Sequence, residues 1–141
     1  MIAYVDTSVL LRVAFNEPSP LEAWRRLDRP ISSELTRVEA LRAVDRARFL
    51  RNVDESTIAE RRAGLLALLD GMELVGLDRG ILERASLPFP TSVATLDALH
   101  LATAVALREE VDGLAFATHD RSLGIAAHAL GFSVEGVSVS G

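Results

Sequence analysis

Four acidic residues stand where a carboxylate could do chemistry: Asp6, Glu39, Asp97 and Asp120. Asp6 directly follows the apolar run 2–5, and Asp120 closely follows the apolar run 114–118. An ionised carboxylate at the end of a buried strand is costly unless something pairs with it. Two unit charges about 4 Å apart repel by roughly 4 kcal/mol at an effective dielectric near 20. If these acids meet in space, they must take up protons or bind a cation.

A cluster that offers only oxygen ligands is best matched by Mg²⁺ or Mn²⁺. Such an ion activates a water and neutralises charge on a phosphate, so hydrolysis of a phosphodiester is the matching reaction. The sequence offers few residues for other types of catalysis, because it has no Cys and no Gly-rich phosphate loop. His100, His119 and His128 lack the spacing of zinc ligands. A nucleophilic Ser8 or Ser122 would need a base that the sequence does not place.

The segment 96–107 is apolar except for Asp97, His100 and Thr103. Their steps of three place them within roughly 120° of one another on a helix, which predicts a buried helix with one polar stripe. Asp97 lies in the first turn, where a carboxylate can also serve as an ordinary helix cap. Thr95 is the better placed cap, and this favours a functional role for Asp97.

Glu39 and Glu34 compete for the inward-facing position on a helix predicted over residues 34–51. Five residues apart, they differ by about 140° around the helix and cannot both face one pocket. Glu34 suits the exposed first turn, where the helix dipole favours an acid, and this leaves Glu39 as the inward candidate. Asp120 has a structural alternative of its own, because it fits the N-cap of the helix that follows it.

The remaining pattern alternates strands with helices, which predicts an α/β fold with a mainly parallel sheet between helical layers. The apolar run 2–5 lacks polar alternation and is typical of a central strand covered on both faces. The predicted strands are residues 2–5, 29–32, 72–75, 114–118 and 132–139, and the last of these segments forms either one strand or two short ones. The predicted helices are residues 8–15, 21–27, 34–51, 55–69, 78–85, 96–110 and 122–130.

The 141 residues fit a single domain, 1–141, with 49% hydrophobic and 25% charged residues. The absence of Cys suits a reducing cytoplasm, and the charges of Asp6 and Arg12 in the first apolar stretch argue against a signal peptide. No segment is apolar for long enough to span a bilayer. The net charge of −5 hides an asymmetry, because residues 25–62 carry ten Arg against seven acids. These arginines could hold an RNA backbone or simply form salt bridges on helix surfaces.

Four motifs in order along the chain resemble the PIN-domain ribonucleases, in particular the small VapC toxins of bacterial toxin–antitoxin pairs. The resemblance spans the whole chain. The motifs are Asp6-Thr7-Ser8-Val9-Leu10-Leu11, Ser33-Glu34-Leu35-Thr36-Arg37-Val38-Glu39, Leu96-Asp97-Ala98-Leu99-His100-Leu101-Ala102-Thr103-Ala104 and Ala117-Thr118-His119-Asp120-Arg121-Ser122-Leu123.

The resemblance implies a three-layer α/β/α PIN-like domain that cleaves structured RNA such as tRNA or rRNA with Mg²⁺ or Mn²⁺. It also implies a homodimer and a small VapB-like antitoxin whose tail covers the site and carries the complex to operator DNA. The family's acidic residues fall on Asp6, Glu39, Asp97 and Asp120. Some members have two acids near the fourth strand, whereas Asp112 here fits a solvated turn, which leaves open whether one or two cations bind.

On this basis Asp6 and Asp97 hold the first cation, Asp120 binds it directly or through water, and Glu39 orients a metal-bound water. Three alternatives stay open from the sequence. One is an RNA-processing nuclease of the same fold that is not a toxin. Another is a catalytically silent module that binds an antitoxin or RNA. A phosphatase on a similar sheet is the third, and it is disfavoured because such sites typically recruit a Lys, which the chain lacks.

Overall fold

The computed structural model describes residues 1–15, 22–50 and 52–140. Within these residues five strands form one parallel sheet in the order β3-β2-β1-β4-β5. The strands are β1 (Ile2–Val5), β2 (Arg29–Ser33), β3 (Glu73–Val75), β4 (Ala115–Ala117) and β5 (Val134–Glu135). The predicted α/β fold with a parallel sheet is therefore confirmed, and β1 occupies the predicted central position.

Strand β1 is covered on both faces, as its unbroken apolar sequence predicts. Ala3 and Val5 pack into one hydrophobic core, and Tyr4 packs into the other. All three side chains are fully buried. Because neighbouring strands run parallel to β1, their carboxyl ends meet at one edge of the sheet, and Asp6 stands at that edge.

Six helices cover the two faces of the sheet in the part of the chain that the structure describes. They are α1 (Thr7–Ala14), α2 (Glu34–Leu50), α3 (Glu55–Asp70), α4 (Arg79–Ala85), α5 (Thr95–Arg108) and α6 (Arg121–Ala129). Side chains of α1, α2 and α3 build the core on one face, and side chains of α5 and α6 build the core on the other. This gives three layers, and none of the described helices is long and apolar enough to cross a membrane.

The buried face of α2 differs from the one that its large apolar residues suggest. Val38 and Phe49, which recur at helical spacing, are 58% and 71% exposed. The buried residues are instead Thr36, Ala40, Val44 and Ala47. Alanines let a helix approach its neighbours closely, so a face of small residues packs here while the bulky side chains stay outside.

Several boundaries also differ from the sequence prediction. The helix predicted over 21–27 is a 3-10 helix at Glu22–Arg26, and the strand predicted over 132–139 shortens to Val134–Glu135. The predicted turn around Pro18 and Pro20, and the predicted helix end at Arg51, lie outside the described residues.

Candidate active site

Asp6 sits at the junction between β1 and α1, and its side chain is only 5% exposed. It occupies the N-cap position of α1 without forming a side-chain cap hydrogen bond. The Ser8 hydroxyl donates to Asp6 Oδ1 at 2.6 Å. Burial raises the pKa of Asp6 from 3.8 to about 6, although hydrogen bonds from Ser8 and Thr118 oppose the rise. No Arg forms an ion pair with this carboxylate within the described residues.

Glu39, on α2, is the inward acid, and Glu34 at the start of the same helix is exposed. The Oε1 atom of Glu39 accepts a hydrogen bond from Thr7 Oγ1 at 2.9 Å and lies 2.6 Å from His100 Nε2. Burial alone would raise the pKa of Glu39, but the hydrogen bonds from His100 and Thr7 outweigh it and lower the pKa. Glu39 is therefore an ionised carboxylate at neutral pH.

Asp97 lies in the first turn of α5, but the N-cap of that helix is Ala94 and not the expected Thr95. The backbone at Ala94 is extended while Thr95 is already helical, so Thr95 cannot act as the cap. The pKa of Asp97 is raised by burial first and by the negative charge of Asp120 second. Both carboxylates line the same cavity.

Asp120 does serve as the N-cap of α6, since its Oδ1 accepts the backbone N–H of Leu123 at 3.1 Å. This role uses one of the two carboxylate oxygens. The structural interpretation of Asp120 is therefore correct, and it leaves the second oxygen without a hydrogen-bond donor among the described residues. A capping role and a role in the site are compatible.

All four acids line one cavity of about 440 Å³ at the carboxyl edge of the sheet. The four acids therefore lie together, as the sequence predicts. Their roles in catalysis stay a prediction. His100, Thr7, Ser8, Arg42 and Arg46 line the same cavity.

The donor chemistry of this cavity fits a hard divalent cation. Its acidic side chains offer oxygen only. Burial raises the pKa of Asp6, and burial together with the negative charges of Asp120 and Glu39 raises the pKa of Asp97. Among the described residues, no three or more acidic or histidine side chains form a ready-made metal site. Mg²⁺ is often held by only one or two carboxylates with waters completing its shell, so the residues fit this ion. The ligand set Asp6, Asp97 and Asp120 stays a prediction.

The raised pKa of Asp6 predicts how the stability of the fold changes with pH. Because its pKa in the folded protein is raised from 3.8 to about 6, the folded state binds the proton more tightly than the unfolded chain. The free energy of unfolding should therefore fall as pH rises from about 4 to 6, by about 3 kcal/mol. Asp6→Asn should stabilise the metal-free protein by about 2 to 3 kcal/mol at pH 7.5 and have little effect at pH 4. Urea unfolding in EDTA at both pH values measures this, and an equal effect at the two pH values would contradict it.

Sequence reasoning missed the residues that support the acids. Thr7 and Ser8 bond to Glu39 and Asp6, and their only sequence signal was that they directly follow Asp6. His100 lies on the predicted polar stripe of α5, but the stripe alone does not indicate its role. Its ring is buried between Glu39 and the Tyr4 hydroxyl, 2.6 Å from each.

Comparison with known proteins places this geometry in a family. The model of the PIN domain matches residues 3–128. Ribonuclease VapC46 of Mycobacterium tuberculosis is 34% identical, over 93% of this chain and 94% of the relative. Ribonuclease VapC47 of the same species is 29% identical, over 92% of each chain.

A solved structure supports the fold. The crystal structure of PAE2754 from Pyrobaculum aerophilum superposes with a TM-score of 0.59 at 22% identity, over 94% of this chain and 83% of that one. At this identity the likeness concerns the fold alone. The family model and the relatives together show that the chain belongs to the PIN-domain family, as a ribonuclease of the VapC type.

Proposed function

We propose that the chain is the toxin of a toxin–antitoxin pair, a Mg²⁺- or Mn²⁺-dependent endoribonuclease that hydrolyses phosphodiester bonds in structured RNA such as tRNA or rRNA. The observation that carries this proposal is the meeting of four carboxylates from four separate segments in one cavity. The names of the similar ribonucleases support RNA as the substrate.

Within this proposal Asp6 and Asp97 would hold the cation, and Asp120 would contribute its second carboxylate oxygen directly or through a water. When bound, the cation would neutralise charge on the phosphate and make water a stronger nucleophile. Glu39 accepts a proton from the attacking water and orients it. Its Oε1 atom is already occupied by Thr7 and His100, so Oε2 is the oxygen left for the water.

The two arginines of the cavity supply contact to the RNA backbone. Arg42 is engaged by Asp45 on the same helix at 3.0 Å. Arg46, one helical turn further on, has no carboxylate partner among the described residues. A guanidinium next to the acids can contact a phosphate beside the scissile bond.

Arg46→Ala should therefore raise KM for RNA about 5- to 10-fold and leave kcat nearly unchanged. The dependence of log KM on log salt should become shallower by about one, as expected when one phosphate contact is lost. Steady-state cleavage of one RNA between about 50 and 200 mM salt measures both effects. Arg79→Ala on α4 is the matched control, because Arg79 is an exposed arginine that does not line this cavity. An unchanged salt slope in Arg46→Ala would contradict the phosphate contact.

A groove of this protein beside the acids offers a binding surface for the proposed antitoxin. A groove of about 510 Å³ between α1 and α2 is lined by apolar side chains that include Leu11, Phe15 and Leu50. It shares Ser8 and Asp120 with the acidic cavity, so a chain lying in it would block access to the site. We infer that a VapB-like antitoxin binds there, that operator DNA is bound only through the antitoxin, and that the toxin is a homodimer.

Induction of the chain in a bacterial host tests the function as a whole. The proposal predicts growth arrest, new RNA ends at a small set of positions, and relief of both by Asp6→Ala or by the cognate antitoxin. RNA cleavage without growth arrest would indicate an RNA-processing nuclease of the same fold instead. RNA binding that persists in Mg²⁺ without new ends would indicate a silent binding module.

A further inference from the structure

Two hydrogen bonds connect three side chains in a row from the central strand to the acidic cavity. The row begins at Tyr4 of β1, passes through His100 of α5 and ends at Glu39 of α2. The Tyr4 hydroxyl is 2.6 Å from His100 Nδ1, and His100 Nε2 is 2.6 Å from Glu39 Oε1. Tyr4 and His100 are almost completely buried. These hydrogen bonds therefore link the central strand of the sheet to helices from both outer layers.

The proton positions in this row follow from which groups can donate. The phenol of Tyr4 keeps its proton at neutral pH, because the ordinary pKa of a tyrosine is about 10. The Tyr4 hydroxyl can therefore donate to Nδ1, and this leaves the proton of a neutral imidazole on Nε2. Nε2–H then points at Glu39, whose carboxylate can only accept. The hydrogen bonds at both ring nitrogens thus favour the same tautomer of His100.

The donors at Glu39 Oε1 oppose a repulsion that would turn this side chain away from the other acids. The carboxylates of Asp6 and Asp97 line the same cavity and repel it. Without a donor opposite α2, a glutamate with three rotatable bonds has little reason to keep one orientation.

We propose that His100, held in its Nε2–H tautomer by Tyr4, is a positioning residue that keeps the carboxylate of Glu39 pointed at the reacting water. This inference rests on the proposed function of Glu39. His100 touches neither the substrate nor the cation in this account, and it acts only through Glu39. The alternative is a buried histidine that merely stabilises the core.

A double-mutant cycle separates the two roles. His100→Leu removes the donor, and His100→Gln keeps an N–H group near the position of Nε2. We expect His100→Leu to lower kcat for RNA about 10- to 100-fold with KM within about twofold, and His100→Gln to recover most of the loss. Tyr4→Phe, which deletes one oxygen and keeps the ring, should lower kcat about 3- to 10-fold.

The decisive comparison uses Glu39→Gln as the background. If His100 acts through Glu39, His100→Leu and Tyr4→Phe should cause almost no further loss there. Equal losses in the two backgrounds would overturn the proposal and leave a role in the core. Tyr4→Phe keeps this test available if His100→Leu fails to fold.

A spectroscopic measurement distinguishes failure of this inference from failure of the proposed function. Nitrogen-15 NMR of histidine-labelled protein reports the tautomer without RNA or metal, and the His100 signals are assigned by their loss in His100→Gln. We expect protonated Nε2 and unprotonated Nδ1 at pH 7.5. A proton on Nδ1 alone would overturn the inference even if the protein cleaves RNA. The expected tautomer in a protein that cleaves no RNA would instead reject the proposed function.

Discussion

RNA cleavage should fall about 1000-fold or more when Asp97 is replaced by Asn. The change keeps the size of the side chain and removes one of the charges proposed to hold the cation, at a cost of about 4 kcal/mol in transition-state stabilisation. The carboxylate is poorly solvated and repelled by Asp120, so its loss should not destabilise the fold. Single-turnover cleavage of one RNA in Mg²⁺ gives the rate, and urea unfolding verifies that the variant is folded.

Asp112→Asn is the control for this experiment, because it removes an exposed carboxylate on the loop before β4. It has the same effect on net charge and should leave the rate within about twofold. Asp97→Asn that cleaves RNA at the rate of Asp112→Asn would show that Asp97 is a surface residue of α5 and not part of the catalytic site.

Replacement of Glu39 by Gln should lower kcat about 100- to 1000-fold with little change in KM, the usual size of a general-base effect. Glutamine has the same shape and can still accept from Thr7 or His100, but it cannot take up the proton of the attacking water. Because Glu39 carries a lowered pKa, the wild-type protein has this base available at neutral pH.

Glu34→Gln is a matched control on the same helix, since Glu34 is exposed at the start of α2. Its kcat should equal that of the wild type within about twofold. The wild-type rate should not depend on the protonation of Glu39 between pH 6 and 8, because the pKa of this group is lowered. Equal kcat values for the two variants would remove Glu39 from the mechanism.

The sequence was informative wherever one local rule decided the outcome. An apolar run without alternation is favoured only where both faces are covered, and β1 has that position. An acid directly after such a strand must lie at the carboxyl edge, which placed Asp6. Helical geometry was enough to choose Glu39 over Glu34, because the two point in directions about 140° apart.

The parts that sequence reasoning missed depend on contacts between distant segments. His100 is separated from Tyr4 by 96 residues and from Glu39 by 61. The periodicity of α5 showed that its ring lies on the polar stripe, but no local rule identifies the partners of a buried ring. The buried face of α2 likewise depends on contacts between distant segments, because Ala40 packs in a core built by several helices and the sheet.

The arginine-rich middle of the chain forms the surface salt bridges that one of the two interpretations of its charge predicts, and the contact with RNA stays a prediction. Arg29 pairs with Glu73, and Arg48 pairs with Asp45, which are ordinary salt bridges on exposed surfaces. Such pairs contribute little to stability and leave little charge for RNA. Arg46 differs because it lines the acidic cavity without a carboxylate partner among the described residues. Its position makes it the arginine best placed to contact RNA next to the cleaved bond.

The proposed RNA cleavage depends on a divalent cation held by carboxylates from separate segments of the chain. Titration of the metal-free protein with Mn²⁺, followed by electron paramagnetic resonance of the free ion, measures this binding without RNA. We predict saturable binding to the wild type, at least 10-fold weaker binding to Asp6→Asn and Asp97→Asn, and unchanged binding to Asp112→Asn. A wild-type protein that binds no Mn²⁺, or variants that bind it as tightly as the wild type, would contradict the account.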